Sequence, residues 1–278
     1  HQIPLTVKAH PSADFRIADS SQCFRSNKFS VNSSNYSNDI LGTRSNIKNT
    51  IWDFDLASPN TASPSVSYTS DQNNIIYNKI GVKTIRLIIE DKNGCTDTMD
   101  RNIHVKEHPI ATIENSSKSS QCKYLNSFDL NASKSTAVNN SQLDSFYWSL
   151  GSGSSPQNSI NDSVNNLTYS TAGTKTIQLI VKDKNECSDT TKLNVVIYES
   201  PVAQITVNTD TQCYKIQNFN FESDDTKSTN SSIVKYSWRF EPDGNPSTGN
   251  SKRVNNLKFA NYGEKNITLV VRNAAGCI

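Results

Sequence analysis

Apolar and polar residues alternate along this chain in short runs, and the clearest runs lie between positions 109 and 200. In TIQLIVKD, Ile177, Leu179 and Val181 fall on one side and Thr176, Gln178 and Lys182 on the other. KLNVVIYE sets Val195 and Ile197 on one face; SFDLNAS does the same with Phe128 and Leu130, and SFYWSL with Trp148 and Leu150. PIATIENS, with Ala111 and Ile113, and NNLTYS, before Gly173, complete the set. A period of two residues broken by polar gaps marks half-buried strands of antiparallel sheets. No segment sustains a helical period. In order these runs predict strands A, B, C, E, F and G of an immunoglobulin-like sandwich, with the C-strand tryptophan between the sheets. DKNG and DKNE supply the F–G turns, where the asparagine is expected at positive φ.

The same pattern occurs three times. WDFD, WSLG and WRFE begin at Trp52, Trp148 and Trp238. Each is followed by YNKIGVKTIRLIIEDKNGC, YSTAGTKTIQLIVKDKNEC or FANYGEKNITLVVRNAAGC, with Gly at 81, 173 and 263 and Cys at 95, 187 and 277. A repeat of this length is a whole small domain, not a solenoid unit. The expected class is all-β: three tandem immunoglobulin-like sandwiches in a rod, with Trp52, Trp148 and Trp238 as core. The expected domains are residues 10–108, 109–200 and 201–278. Linkers KAHP, KEHP and YESP are very short and end in Pro11, Pro109 and Pro201, so the array should be stiff. Nothing after Cys277 can serve as strand G of the third domain. QIPLTVKAHP reads as strand G plus linker, with Leu5 and Val7 in the places of Ile103 and Val105. Residues 1–9 are therefore expected to be strand G of a preceding domain, or a strand donated head to tail.

Trp52-Asp53-Phe54-Asp55, Tyr169 four residues before Gly173, and TKTIQLIVKDKNEC together resemble PKD (polycystic kidney disease) domains, and the likeness runs through all three repeats. The family's Gly-Asp-Gly turn is replaced by LAS, GSG and EPDG, which puts a ligand role of that turn in doubt. One Cys before strand B and one in the F–G turn are similar to PKD arrays of secreted Bacteroidota proteins, including gliding-motility adhesins exported by the type IX system. This resemblance implies a structural stalk or filament segment of a long extracellular, cell-surface adhesin. The alternative it implies is a glycan- or protein-binding module accessory to a secreted enzyme. That alternative would favour exposed aromatic residues, for which Tyr36, Tyr68 and Tyr214 are the candidates.

Composition narrows the chemistry. The formal net charge is +2 and the basic residues form no run, which excludes nucleic acid and anionic membranes as partners. No run of about 18 apolar residues is present, the length a membrane-spanning helix needs. No HExxH, CxxC, ordered Ser-His-Asp set or glycine-rich phosphate loop occurs, so no enzyme is expected. Gly151 and Gly153 follow a strand and precede no helix, so they read as loop. The histidines are His1, His10, His104 and His108. His104 and His108 would be about 13 Å apart on a strand, too far for one metal. No cofactor is expected; calcium is the one ion that Asp53 with Asp55, Glu222 with Asp224 and Asp225, or Glu241 with Asp243 would suit. Asn32, Asn115, Asn166 and Asn266 open Asn-x-Ser/Thr sequons, and Asp162-Ser163-Val164 and Asp97-Thr98-Met99 resemble bacterial O-glycosylation sites.

Six cysteines, two per repeat, point to disulfides in an oxidising compartment. Cys23, Cys122 and Cys213 close SSQC, SSQC and DTQC and are read as A–B loop residues. Cys95, Cys187 and Cys277 lie in F–G turns. Pairing within repeats would join 23 to 95, 122 to 187 and 213 to 277. However, the A–B and F–G ends of a sandwich are separated by roughly 26 Å, and a disulfide needs Cα atoms within about 7 Å. Head to tail, one domain's A–B end meets the next domain's F–G end. The favoured pairs are therefore Cys23–Cys187 and Cys122–Cys277, with Cys95 and Cys213 pairing outside the chain.

Overall fold

The computed structural model describes residues 2–34, 37–38, 46–56, 61–139, 141–224 and 226–278. It is all-β, with two single-turn 3-10 helices at Phe24–Ser26 and Tyr214–Ile216. The first repeat supplies β1 (Arg16–Ile17), β2 (Ser21–Cys23), β3 (Phe29–Asn32), β4 (Ile47–Asp53), β5 (Ala62–Ser63), β6 (Val66–Ser67), β7 (Asp71–Tyr77), β8 (Gly81–Asp91) and β9 (Thr96–Lys106). The second supplies β10 (Glu114–Asn115), β11 (Ser120–Cys122), β12 (Phe128–Asn131), β13 (Leu143–Ser149), β14 (Ser154–Ser155), β15 (Asn158–Ser159), β16 (Ser163–Tyr169), β17 (Gly173–Asp183) and β18 (Ser188–Tyr198). The third supplies β19 (Thr206–Val207), β20 (Phe219–Glu222), β21 (Ile233–Glu241), β22 (Gly244–Asn245), β23 (Thr248–Gly249), β24 (Arg253–Phe259) and β25 (Asn266–Asn273).

Each repeat forms two sheets. The first has β1-β3-β7-β5 and β2-β9-β8-β4-β6, and the second has β10-β12-β16-β14 and β11-β18-β17-β13-β15. The third has β19-β20-β24-β22 but only β23-β21-β25 opposite it. Side chains from both sheets interleave into one core, which makes each pair a sandwich. In the first, Phe29, Val31, Ile75 and Tyr77 meet Trp52, Ile85, Leu87, Ile89, Ile103 and Val105. Trp52, Trp148 and Trp238 are all buried. Each indole N–H donates 2.8 Å to the carbonyl of a residue just before the next long strand: Thr69, Asn161 or Ser251. The tryptophan thus fills the core and still satisfies its one polar group.

By contact density the chain divides into two compact units. One comprises His1–Ile110, Thr136–Asp144 and Val181–Asp189; the other comprises Ala111–Ser135, Ser145–Ile180 and Thr190–Ile278. The first sandwich lies wholly in the former and the third wholly in the latter.

Two local expectations are corrected, and strand F shows a feature that its pattern did not announce. The first concerns strand A, which is not continuous: β1 pairs antiparallel with β3, and the chain then crosses to the other sheet. There SQC forms β2, parallel to β9, with Cys23 opposite Lys106; β11 repeats this with Cys122 opposite Tyr198. The cysteines expected in A–B loops at positions 23 and 122 thus end short edge strands. The second concerns the F–G turns. The positive φ falls on Gly94, Glu186 and Gly276, one residue after the expected asparagine where one is present. The preceding carboxylate or amide takes the turn's N–H groups instead. Asp91 Oδ1 accepts from Asn93 N and Cys95 N, and Asp183 Oδ1 does the same for Asn185 and Cys187. The apolar row of strand F also carries buried lysines: Lys83 and Lys175 lie on the inward side of β8 and β17. A long aliphatic stem lets such a lysine extend an apolar row while its ammonium stays solvated or bonded. Lys175 Nζ donates 2.6 Å to Thr171 Oγ1 and stands 5.7 Å from the Tyr169 ring centroid.

Candidate functional site

The features repeated in all three sandwiches are the seats of the cysteines. In SQC the glutamine side chain reaches across the following turn. Gln22 Oε1 accepts from Lys28 N, Gln121 Oε1 from Ser127 N and Gln212 Oε1 from Asn218 N. The second brace is an amide four residues after each cysteine. Asn126 Nδ2 donates to Lys123 O and Tyr169 O, while Asn126 Oδ1 accepts from Tyr169 N. Asn27 and Gln217 make the same three bonds, to Phe24 with Tyr77 and to Tyr214 with Phe259. Paired bonds to one backbone residue act like a strand ladder and fix the turn. On the F–G side, Asp91, Asp183 and Asn273 each accept from the amide of Cys95, Cys187 or Cys277.

Four of the six seats are joined. Cys23 and Cys187 form one disulfide with Cα atoms 5.5 Å apart, and Cys122 and Cys277 form another at 5.6 Å. Cys95 and Cys213 are free thiols. The geometry explains why Cys23 does not meet Cys95. Cys23 is in register with Lys106, the last residue of β9, and Cys95 directly precedes that strand. The two are thus roughly 35 Å apart along an extended strand.

Polar bonds surround each joined pair. Near Cys23–Cys187, Arg25 pairs with Asp189, and Lys106 Nζ donates 2.8 Å to Asn185 O. Glu107 accepts from Asn139 Nδ2 at 2.8 Å, and Ile110 and Thr136 exchange two backbone bonds. Near Cys122–Cys277, Asn230 Nδ2 donates to Ile197 O, Asn230 Oδ1 accepts from Glu199 N, and Asn273 Nδ2 donates to Glu199 O. The linker after the strand Ser188–Tyr198 is thereby held by side-chain amides. Exposed ion pairs of this kind contribute little individually, but a disulfide closing a loop of this length constrains the unfolded chain by about 5 kcal/mol.

Among the described residues the remaining candidates do not assemble into a site. Among the described residues no three His, Cys, Asp or Glu side chains gather as metal ligands. Asp55 Oδ1 is taken up by Thr61 N, Thr61 Oγ1 and Ala62 N, and Asp53 Oδ1 by Asp55 N. Burial pushes the Tyr77 hydroxyl well up, and the charges of Asp55 and Asp53 add to the shift. The bond from Arg253, with that from Lys252, holds the Asp224 carboxyl below the usual carboxylate range. Glu222 and Glu241 lie beside Arg253 and Arg239, and Asp243 accepts from Lys265 and Asn261. Asp225, His1 and Tyr36 lie outside the described residues. His104 is exposed, whereas His10 and His108 each donate Nδ1–H to the carbonyl of the following proline. Tyr68 is exposed, and Tyr214 donates its hydroxyl to Ala260 O. These two tyrosines sit at different repeat positions. Of the sequons, Asn166 and Asn266 are exposed and Asn32 and Asn115 half-buried; Thr98 is exposed, and Ser163 donates to Asp162.

The amide braces were missed in the sequence, although an Asn or Gln four residues after each of Cys23, Cys122 and Cys213 was their signal. So was a bulge in β7, β16 and β24, centred on positive-φ Asn74, Asn166 and Asn256. Its mark is the Asn-Asn pair in DQNNIIY, SVNNLTY and RVNNLKF. Asparagine tolerates the left-handed region better than other residues with a side chain.

No curated protein matches the chain. Solved structures similar to it include a Ca2+-stabilized adhesin of an Antarctic bacterium that binds ice, at 8% identity over 95% of this chain and 74% of that one, TM-score 0.37. The three N-terminal domains of the bacteriophage RB49 Hoc capsid protein match at 10% identity over 96% and 97%, TM-score 0.31. The fibronectin(III)-like modules of Clostridium thermocellum CbhA match at 9% identity over 67% and 95%, TM-score 0.32. Residues 198–278, which run from the end of β18 through the third sandwich, match the PKD domain family.

Proposed function

We propose that this chain is a load-bearing stalk segment of an extracellular, cell-surface adhesin, in which tandem PKD-like sandwiches over residues 10–108, 109–200 and 201–278 are clamped joint by joint with disulfides. The observation that carries this reading is the interleaving of Cys23–Cys187 with Cys122–Cys277. Each bond joins an SQC strand to an F–G turn one repeat later. Because the two loops overlap, the shortest covalent route between the ends is less than half of the chain. Tension applied end to end would bypass most of the first and third sandwiches and load the second between Cys122 and Cys187, so the segment would hold most of its length under shear. Disulfides persist in oxidising surroundings, which supports an extracellular address. The placement of the cysteines, similar to that in arrays of gliding-motility adhesins exported by the type IX system, favours that kind of surface protein.

Single-molecule stretching tests the stalk. With both disulfides closed, the contour length released on unfolding should be less than half of that released after reduction. Equal release in the two states would rule out the clamp.

A further inference from the structure

The outward face of the five-stranded sheet in the first sandwich carries an apolar row one residue wide. Ile51 on β4 lies opposite Ile88 on β8, and Ile88 lies opposite Thr98 on β9. Tyr68 extends the row on the other side of β4. The ladder with β6 pairs Trp52 with Ser67, so the next step along both chains brings Tyr68 beside Ile51. Trp52, Ser67 and Leu87 are buried, which turns Ile51, Tyr68 and Ile88 outward. Tyr68 is 75% exposed, and Ile51 and Ile88 are half-buried. Beside the ring runs a groove of about 450 Å³ lined by Lys48, Asn49, Ile51 and Tyr68 among others. That volume suits a small-ligand site, for which about 300–1,000 Å³ is usual.

The two rows flanking the apolar one are polar, and their cations are already matched. On one side Asn49 lies opposite Glu90, which accepts 2.7 Å from Asn49 Nδ2 and 3.3 Å from Lys48 Nζ. On the other side Asp53 lies opposite Arg86, whose guanidinium grips Asp100 with two bonds of 2.8 and 2.7 Å. Nothing in these rows draws an anion, while their amide, hydroxyl and carboxylate groups still face solvent.

The second sandwich rebuilds the row with its ring moved by one strand. Trp148 pairs with Ser159 as Trp52 does with Ser67. Tyr147 therefore takes the place of Ile51, Ile160 that of Tyr68, and Ile180 that of Ile88. Tyr147 is exposed, and so is Ile160. Ser149 and Gln178, two residues along the same strands, supply a polar flank. The third sandwich has Asn250, Ser237 and Val270 in these places, and no ring. Both tyrosines stand on rigid supports. Trp52 Nε1 donates to Thr69 O and Ser67 Oγ to Gln72 Oε1, which pins the residues on either side of Tyr68; Tyr147 lies inside the strand β13. A ring held in advance loses little freedom on binding.

We propose that the rows containing Tyr68 and Tyr147 are each a binding site for a segment of a neutral polysaccharide. The tyrosine ring stacks on one face of a pyranose, and the flanking polar side chains hydrogen-bond its hydroxyls. A sugar ring carries C–H groups on its faces and hydroxyls around its rim. The sheet shows the same order, apolar along one row and polar beside it. A stable protein partner needs about 800 Å² on each side, far more than three side chains expose. The inference stands apart from the stalk reading, since it adds ligand sites whether or not the disulfides carry load.

Calorimetric titration of the full chain with cellohexaose, mannohexaose and chitohexaose tests it, with heparin oligosaccharide as the charged arm. At least one neutral oligosaccharide should bind, one site per row, with an affinity that salt does not change. Tyr68→Ala and Tyr147→Ala alter exposed rings, so they spare the fold. Each should remove one site, and the double variant should lose at least about tenfold in apparent affinity. Tyr68→Trp should keep its site, because stacking needs the ring and not the hydroxyl. No binding of any neutral oligosaccharide, tighter and salt-sensitive binding of heparin, or binding that survives the double variant would each overturn the proposal. So would a concentration-dependent dimer abolished by Tyr68→Ala, which would make the row a contact between copies. The stretching experiment reads the disulfide clamp and is untouched by these variants, so a failure of either reading is seen separately.

Discussion

The second and third sandwiches are built from closely similar blocks, yet their cores differ. Ile177 and Leu179 on β17 are fully buried, whereas their counterparts Ile267 and Leu269 on β25 are only partly buried. The side chains facing them are present in both: Trp148 and Trp238, Leu167 and Leu257. What differs is the neighbour. β18 lies along β17 and adds Val195 and Ile197 to the core, and among the described residues no strand lies on that side of β25. A strand sequence therefore sets which residues face inward, and the next strand decides how completely they leave water. Each fully buried Val or Ile is worth about 1.5–3 kcal/mol, so the neighbouring strand contributes as much to such a core as the strand that carries the pattern.

The largest test of this contrast concerns the covalent joints. C122S/C277S should destabilise the second and third sandwiches by about 5 kcal/mol, read as a lower denaturant midpoint. A midpoint unmoved by the substitutions would mean that the joint constrains nothing. Next comes the core. Trp148→Ala should cost about 3–5 kcal/mol in a closed sandwich. Trp238→Ala should unfold the third sandwich outright while leaving the others folded, visible as a separate early transition in calorimetry. The third test concerns the braces. Asn126→Ala strands Tyr169 N and O in a buried place and should cost about 1–3 kcal/mol. Gln217→Ala should cost less, because Gln217 and Phe259 line an open groove of about 700 Å³ that admits water to replace the lost bonds.

The smallest test converts one sandwich toward the other. Tyr169 donates its hydroxyl to Leu150 O at 2.7 Å, and the third repeat has Phe259 in that place. Tyr169→Phe should cost about 0.5–1.5 kcal/mol near neutral pH. It should also remove an alkaline effect. Burial pushes the Tyr169 hydroxyl up to about 12, from an ordinary value of about 10. A folded value raised above the unfolded one means that the unfolded state loses its proton first. The stabilisation is then full below the ordinary value and is lost as pH rises toward the folded one. Wild-type stability should therefore fall across that alkaline window, and the Phe variant should lack this component in pH-dependent unfolding.

The sandwich class was legible because it rests on local regularities: period-two rows such as Ile85-Leu87-Ile89, a tryptophan at one place in each repeat, and turn residues between them. These are short-range consequences of strand geometry, and the chain displays them three times. The split of strand A was not legible. Nothing in SSQC says that it leaves one sheet and runs parallel to β9 or β18, because that contact lies about 80 residues away in sequence. The positive φ at Glu186 was likewise hidden, since Asp183 takes the turn's N–H groups and moves the left-handed residue one place along.

The sequence by itself determined the all-β class, the inward and outward faces of the long strands, and six cysteines at two fixed places per repeat. Tertiary structure alone decided which cysteines touch. A strand of 11 residues holds Cys23 and Cys95 at opposite ends of one sandwich. Cys23 and Cys187, separated by 164 residues, instead come within 5.5 Å. The bond forms where two rigid seats are brought together, and proximity along the chain has no part in that.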